Sequence, residues 1–584
     1  MRVRDALLQA RFVRVFEALL FASAAAYLVL HQVGYGFEVG DQLQYLLLPY
    51  REIFPSFLPG DWFTWHTSHY HATFSWIVRG LAALFGAERL PESVFALHTL
   101  NLGLFGYALL SLSRSLGFGW FEAAFALCGF ALVRQMGLAG AVLNHGALVP
   151  ADLALPAFLL ACAAYARAER LVMGAWLGVS GFMHANYAVL GPAVLFGLEL
   201  LRCRERRELL QLVAAGALYT LIAAPTLFIV LGSFLIRDAA PEAVAVTLFT
   251  RSPHHYDLFS LRVDEFYYGF GLCLIGLPRV LGQVGAPEQR RVFVQLTLGL
   301  AGLIALGALG SLVHVLALSR LFTWRMSIPL FALLLMAAGA ALRDWSAQRK
   351  WLRLLWLLAM CVGLTAFAQT DPLESSPWNS LPRAAALAGA LSVLGALSAL
   401  GPWRSDLPLR AAGVSLAVAS AALALSVTHS RLWQGDAFKA PRGLHWLDGR
   451  VAIAAPTWPL YAAVRDGTPQ DARFLIPPGM SQFRMSARRS IFVDWKCAPM
   501  RGDEALEWQR RLLAAIGASS FPAQGYQLPR AADAAYWARP LSELIELARR
   551  EQLSHVLTRA GAVAPPGTRR VLQSGRYAVL ELLP

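Results

Sequence analysis

The sequence predicts a polytopic α-helical membrane protein that carries an α/β domain outside the bilayer at its C-terminus. Of the 584 residues, 57% are apolar and only 15% are charged, whereas soluble domains contain about 25% charged residues. The mean hydropathy is positive, so the composition excludes an ordinary soluble protein. Hydropathy changes after Ser430, and this change predicts the C-terminal domain.

The apolar runs predict about thirteen membrane-spanning helices, at about 20 residues per span. Their approximate bounds are 13–33, 94–113, 119–135, 150–166, 171–184, 186–201, 209–232, 266–284, 292–316, 326–342, 352–369, 384–401 and 411–429. Two of them, 171–184 and 186–201, are short enough to be half-helices or tilted helices. The predicted domains are therefore a multi-span domain over residues 1–430, with a first outer loop over 34–93, and a C-terminal domain over 431–584.

The positive charge follows the pattern of a membrane protein. The formal net charge is +14, and arginines cluster between apolar runs, for example at Arg167 and Arg170 and again at Arg202 to Arg207. The positive-inside rule places these clusters and the N-terminus in the cytoplasm. An odd number of spans then places the C-terminal domain in the periplasm of a bacterial inner membrane. Topology explains the basicity without a nucleic-acid partner, and the N-terminal apolar segment is expected to remain as an uncleaved anchor.

The C-terminal domain alternates predicted strands with predicted helices, as in a small α/β layer domain. Strands are predicted at 472–477, 490–495, 553–557 and 577–582, and amphipathic helices at 504–516 and 541–551. Of the six cysteines, only Cys497 lies in this domain. An oxidising compartment could therefore form no disulfide within it.

The first outer loop contains the leading candidate for a catalytic group. Asp41 follows the first span directly, and a carboxylate held near hydrocarbon is costly and therefore usually functional. A second acid, Asp61, follows Pro59 and Gly60. Asp61 is a candidate for substrate binding, with a helix N-cap as the alternative. The loop between them is aromatic and is expected to form short helices at the membrane interface.

Three histidines of the same loop raise the question of a metal site. His66 and His69 are one helical turn apart, and His71 follows. Imidazole is a common zinc ligand, but the stretch is crowded with tryptophan and tyrosine, as interfacial belts are. A divalent cation is the one cofactor that the sequence suggests, and the alternative is that no cofactor is needed.

Polar groups in later loops are candidates for binding a phosphate or a sugar hydroxyl. One set lies within the eight residues Thr250 to Asp257 and comprises Arg251, His254, His255 and Tyr256. Arg320 and Arg325 flank the end of another span, where the alternative is snorkelling to lipid headgroups. His184 lies at the end of a short span and is expected to point into the same cavity or to pack between helices.

This arrangement resembles the GT-C superfamily of polytopic glycosyltransferases. The likeness rests on an acid soon after span one, a long first loop with interfacial helices, paired short spans, about thirteen spans and a C-terminal α/β domain. The stretches Arg251 to Tyr256, Thr468 to Pro478, and Phe483 to Lys496 also resemble a bacterial family of uncharacterised membrane proteins. Two family features are missing, namely an acid-any-acid motif after Asp41 and a WWD-type signature in the C-terminal domain.

The resemblance implies transfer of a sugar from a polyprenyl-phosphate donor to an acceptor on the periplasmic side. Asp41 would be the base or a metal ligand, and the later cations would neutralise the departing phosphate. The donor lipid and the membrane are the implied partners, and the acceptor is not indicated. Two alternatives stay open, a transporter or flippase of lipid-linked saccharides and a non-catalytic subunit of a membrane assembly.

Overall fold

A computed structural model describes residues 2–132, 146–231, 241–256, 286–347, 444–445 and 457–584, except positions 34, 70, 314, 316–317, 320 and 500. Its helices before residue 348 are α1 (Arg2–Val33), α2 (Gln42–Tyr45), α3 (Leu47–Ile53), α4 (Trp62–His66), α5 (Ala72–Phe85), α6 (Leu90–Ser115), α7 (Trp120–Leu132), α8 (Pro150–Ala166), α9 (Arg170–Met183), α10 (Ala185–Arg202), α11 (Arg206–Val230), α12 (Pro241–Ala245), α13 (Pro253–Tyr256), α14 (Pro287–Leu312) and α15 (Ser327–Ala347). A π-helical turn over Val246–Arg251 lies between α12 and α13, and a 3₁₀ turn over Thr323–Met326 leads into α15.

Nine of the predicted spans coincide with described helices, namely α1, α6 to α11, α14 and α15. Among the described residues, five helical stretches are long and apolar enough to cross a membrane, so the chain is a multi-pass membrane protein. The predicted spans 266–284, 352–369, 384–401 and 411–429 lie outside the described residues. The full number of spans therefore stays a prediction.

Basic side chains of neighbouring helices meet at one end of the bundle. Arg170 at the start of α9 pairs with Glu199 of α10 and Glu208 of α11, at N–O distances of 2.7 and 3.2 Å. Arg202 at the end of α10 donates to the carbonyl of Tyr165 at the end of α8. These contacts gather the predicted basic loops at one end, and the first loop and the C-terminal domain lie at the other.

The first loop folds as the four short helices α2 to α5. Its apolar side chains supply most of one buried cluster, which includes Tyr35, Leu47, Phe57 and Phe74. Met485 and Cys497 of the C-terminal domain complete this cluster. The loop and the C-terminal domain therefore share one core rather than meeting only through polar contacts.

The C-terminal domain contains a mixed five-stranded sheet, as an α/β domain requires. Its strands are β3 (Arg473–Leu475), β4 (Ser490–Ile491), β5 (His555–Arg559), β6 (Thr568–Ser574) and β7 (Tyr577–Leu582), in the spatial order β4-β3-β5-β7-β6. The first three run parallel, and β7 is antiparallel to both β5 and β6. A separate two-residue pair joins β1 (Tyr35–Gly36) to β2 (Leu444–His445).

Helices cover both faces of this sheet. They are α16 (Trp458–Gly467), α17 (Phe483–Ala487), α18 (Gly502–Ile516), α19 (Leu528–Ala538) and α20 (Leu541–Arg550). Successive residues of a strand point to opposite faces, and Phe474 accordingly packs with α16 and α17 while Leu475 packs with α18, α19 and α20. The four predicted strands and two predicted helices of this domain are confirmed, whereas its boundary near residue 431 lies outside the described residues.

Asp533 on α19 gives this domain a distinctive dependence on pH. Its carboxylate accepts a hydrogen bond of 2.6 Å from the Gly479 amide, but burial raises its pKa to about 6, against about 3.9 in an unfolded chain. The folded chain therefore holds this proton more tightly, and the stabilisation present below about pH 4 is lost as pH rises through about 6. We expect Asp533→Asn to reduce the difference in stability between pH 4.5 and pH 7, as measured by thermal unfolding of the full chain at both values. An unchanged profile would contradict the assignment.

Candidate functional site

Asp41 forms an ion pair with a lysine of the C-terminal domain. It lies at the start of α2, and its Oδ1 accepts from the ammonium of Lys496, in the segment after β4. The backbone carbonyl of Lys496 in turn accepts from Nη2 of Arg251 at 2.9 Å. A single residue of the C-terminal domain thus joins the first-loop acid to the cation of a distant loop.

The loop that contains Arg251 also contacts the turn before α15. The rings of His255 and Tyr256 lie 5.2 and 5.5 Å from that of Phe322. The Phe322 ring also contacts Arg325. The guanidinium carbon of Arg325 lies 4.9 Å from the centroid of this ring, within the range of a cation–π interaction. Phe322 adopts a left-handed backbone with φ of 48°, so the turn reverses sharply here and sets the position of Arg325.

His71 links the Arg325 turn to Asp41. Its buried ring lies 5.0 Å from the ring of His184 and 4.7 Å from that of Tyr45. Burial lowers the pKa of His71 to about 3; the Arg325 guanidinium lowers it as well, while the Asp41 carboxylate opposes both. His71 is therefore neutral at physiological pH, and it lies within electrostatic reach of both charges.

His184 holds the junction between two helices. Its Nδ1 accepts from the Asn186 amide at 3.1 Å and caps α10. The Asn186 side chain donates to the carbonyl of Leu321 at 2.8 Å. This contact ties the junction to the Arg325 turn, so His184 has the packing role that was its alternative and also lies beside the predicted site.

These contacts connect one set of residues in a closed ring, which we call the Asp41 site. Its members are Asp41, His71, His184, Arg251, His255, Tyr256, Phe322, Arg325 and Lys496. Within the described residues, the Nε atoms of Arg251 and Arg325 are buried and have no hydrogen-bond partner. A buried donor without a partner is costly, and a charged one more so, so the site is suited to an anionic ligand.

Asp61 has the structural role that was its alternative. It is fully buried and caps α4: its Oδ1 accepts from the amide and the hydroxyl of Thr64 at 2.9 and 2.8 Å. Its Oδ2 accepts from Nε of Arg484 at 2.9 Å and from the Ile491 amide at 3.1 Å. Arg484 also pairs with the buried Asp494. Four hydrogen bonds occupy the carboxylate, so Asp61 joins the loop to the C-terminal domain and is not placed to bind substrate.

The three first-loop histidines do not converge on a metal. His66 is exposed, and Nε2 of His69 lies 3.3 Å from the carbonyl of Thr64. His71 faces His184, as described above. The described part of the chain contains no group of three or more His, Cys, Asp or Glu that could hold a metal ion.

Two predicted site residues cannot be placed against this ring. Arg320 lies outside the described residues, and His254 is described only as part of the backbone of α13. Sequence reasoning also missed two members of the ring, Lys496 and Phe322. Lys496 lies in the stretch Val493 to Lys496, which supports the family resemblance, but a lysine near a buried strand carries no local sign of a partner 455 residues away.

Comparison by sequence gives only a partial match. A domain of unknown function, DUF6798, matches residues 455–515, the segment that contains Arg484, Asp494 and Lys496. Curated proteins give no significant match. The matched segment thus carries the groups that reach from the C-terminal domain into the first loop.

Comparison by structure matches nearly the whole chain. ArnT from Cupriavidus metallidurans, bound to undecaprenyl phosphate, superimposes with a TM-score of 0.52 at 16% identity over 98% of each chain. The same protein in its apo state gives 0.50 at 15% identity, again over 98% of each chain. The apo oligosaccharyltransferase of Archaeoglobus fulgidus gives 0.49 at 13% identity over 93% of this chain and 69% of that one. The prediction from the resemblance is confirmed at the level of architecture: this chain has the GT-C fold.

Proposed function

We propose that this protein is a membrane glycosyltransferase that moves a sugar from a polyprenyl-phosphate donor to an acceptor hydroxyl. The observation that carries the proposal is the Asp41 site, where the ion pair of Asp41 and Lys496 is linked to two half-buried arginines, Arg251 and Arg325, whose Nε atoms are buried and have no partner among the described residues. A transferase of this kind needs one base and several cations at one place. The likeness to ArnT, whose structure contains undecaprenyl phosphate, supports this class of donor.

The cations of the site suit the phosphate of the donor. Arg251 and Lys496 are held together by a hydrogen bond, and Arg325 lies over the ring of Phe322, which packs on His255 of the Arg251 loop. Arginine binds phosphate oxygens through charge-assisted hydrogen bonds. A phosphate between these groups would satisfy the buried Nε atoms, and the polyprenyl tail would extend into the lipid beside the helices.

The reaction uses Asp41 as the base. The acceptor oxygen forms a bond to the anomeric carbon, the bond from that carbon to the phosphate oxygen breaks, and its electron pair stays on the polyprenyl phosphate. Asp41 takes the proton of the acceptor hydroxyl. Phosphate is a good leaving group, so no second carboxylic acid is needed to protonate it, unlike in glycosidases.

Lys496 would control whether Asp41 is free to act as the base. In the resting protein its ammonium pairs with Asp41 and occupies the carboxylate oxygen Oδ1. An entering phosphate competes for the same ammonium, and the movement of Lys496 toward it would release Asp41. Binding of the donor would thereby generate the active base. The site would face the periplasm of a bacterial inner membrane, as the positive-inside rule predicts.

The test is binding of undecaprenyl phosphate by the full chain in nanodiscs. We expect Arg325→Gln and Arg251→Gln to weaken binding by about 10- to 100-fold, because a hydrogen bond to a charged group contributes about 1.5–3 kcal/mol. Arg511→Gln is the control, since its guanidinium also lies on an aromatic ring, that of Trp62 at 4.7 Å, but outside the ring of contacts. Equal binding by all four proteins would refute the donor site.

A further inference from the structure

A cavity lies between the first loop, the start of α6 and the C-terminal domain. Its volume is about 810 Å³, within the range of small-molecule sites. We propose that this cavity binds a saccharide unit of the acceptor. The inference rests on the proposed function, since an acceptor implies a transfer reaction, but the cavity itself can be tested without any transfer.

Three groups at the centre of the cavity are fixed for recognition. Arg488 pairs with the carboxylate of Glu38, and the Tyr50 hydroxyl donates to the same carboxylate at 2.6 Å. Nη1 of Arg488 is buried and has no partner among the described residues. The Arg488 backbone is left-handed, with φ of 51°, because Arg488 ends α17 and helices commonly end in this conformation.

Aromatic and amide side chains complete the lining. Arg488 itself lies over the rings of Tyr50 and Phe57, at 5.1 and 5.7 Å from their centroids. Trp458 and Gln482 line the cavity from the C-terminal domain. A pyranose has an apolar C–H face that packs on aromatic rings and hydroxyls that bond to carboxylate, guanidinium and amide groups.

An isoprenoid tail fits this lining less well. Glu38 and Arg488 would lose contact with water against a hydrocarbon chain, and burying charged groups without new hydrogen bonds is costly. A saccharide replaces those bonds. The cavity therefore matches a ligand that is polar at its edges and apolar on its faces.

The cavity also adjoins the proposed base. Glu38 precedes Asp41 by three residues, and consecutive Cα atoms are 3.8 Å apart, so the two Cα atoms lie within about 11 Å of each other. A saccharide bound at Glu38 and Arg488 could thus present a hydroxyl to Asp41. The same turn of the first loop would position both the acceptor and the base.

The experiment is saturation-transfer NMR of the full chain in nanodiscs with a panel of methyl glycosides. We expect at least one glycoside to bind, and Arg488→Ala to weaken its binding about tenfold or more. The control is Arg576→Ala, because Arg576 lies over the Tyr577 ring at 5.2 Å, outside the residues that line the cavity. Gln482→Ala, a smaller change in the lining, is expected to weaken binding several-fold and covers the case in which Arg488→Ala fails to fold.

The outcomes separate this inference from the proposed function. If no glycoside binds, or if undecaprenyl phosphate displaces the bound glycoside, the cavity is not a saccharide site, and the donor site stands or falls on its own assay. If a glycoside binds but undecaprenyl phosphate does not, the proposed function fails and the saccharide site remains. If Arg488→Ala only lowers thermal stability, the Glu38 pair is a structural link and the inference is overturned.

Discussion

Replacing Asp41 with asparagine is expected to lower the rate of sugar transfer by about 10²- to 10⁴-fold, the usual contribution of a general base. The amide is nearly isosteric with the carboxylate but cannot take a proton. Binding of undecaprenyl phosphate should persist, because the arginines that would bind phosphate are unchanged. The measurement is transfer of radiolabel from undecaprenyl-phosphate sugars to membrane acceptors.

The control for this variant is Glu52→Gln, which changes another acid of the first loop. Glu52 accepts a hydrogen bond from Ser75 and lies 3.5 Å from Arg79, away from the Asp41 site. The Glu52→Gln protein should transfer sugar at the wild-type rate. Full activity of Asp41→Asn would show that Asp41 is not the base and would remove the mechanism.

Replacing Arg484 with methionine is expected to destabilise the folded protein by about 3–5 kcal/mol, because it leaves two buried carboxylates without their cation. Asp61 and Asp494 are both fully buried, and Arg484 is only 2% exposed. The change should separate the C-terminal domain from the first loop before the rest of the fold is lost. Labelling of Cys497 by a thiol reagent during heating follows that separation, in a background where the other five cysteines are replaced.

Arg510→Met provides the matched comparison. Arg510 also pairs with two acids, Glu507 and Glu551, but its side chain is 48% exposed, and exposed pairs contribute about 0–1 kcal/mol. The triple change Asp61→Asn, Arg484→Met, Asp494→Asn should recover part of the lost stability, since it removes the unpaired charges together. An Arg484→Met protein as stable as the Arg510→Met protein would contradict the role assigned to this network.

The sequence was sufficient for the described helices of the bundle because hydropathy reports which segments are removed from water, whether by protein or by lipid. The helices of the bundle are long apolar runs, and the strands β3, β5 and β7 are short runs rich in apolar residues. Strand β6 was missed because it lies at the edge of the sheet and exposes Arg569 and Arg570. The alternation of apolar and polar residues along β6 is therefore too weak to predict a strand.

The site was predicted in part for a similar reason. Loops that leave the bilayer on one side must share a limited surface, so Asp41, Arg251 and Arg325 were expected to meet. In the structure Lys496 contacts both Asp41 and Arg251, and Arg325 is connected to the Arg251 loop through Phe322; that all three bind one ligand stays a prediction. The contributions of Lys496 and Arg484 could not be predicted. Both pair with acids more than 400 positions earlier in the chain, and no local pattern reports such a pairing.

The pair formed by Asp41 and Lys496 also constrains how this protein can change in evolution. Neither half of the molecule holds both members, so a recombinant hybrid of two relatives would inherit an uncompensated carboxylate unless position 496 came with it. Substitutions at positions 41 and 496 are therefore expected to co-vary among homologues. The bundle and its appended domain would be inherited as one unit.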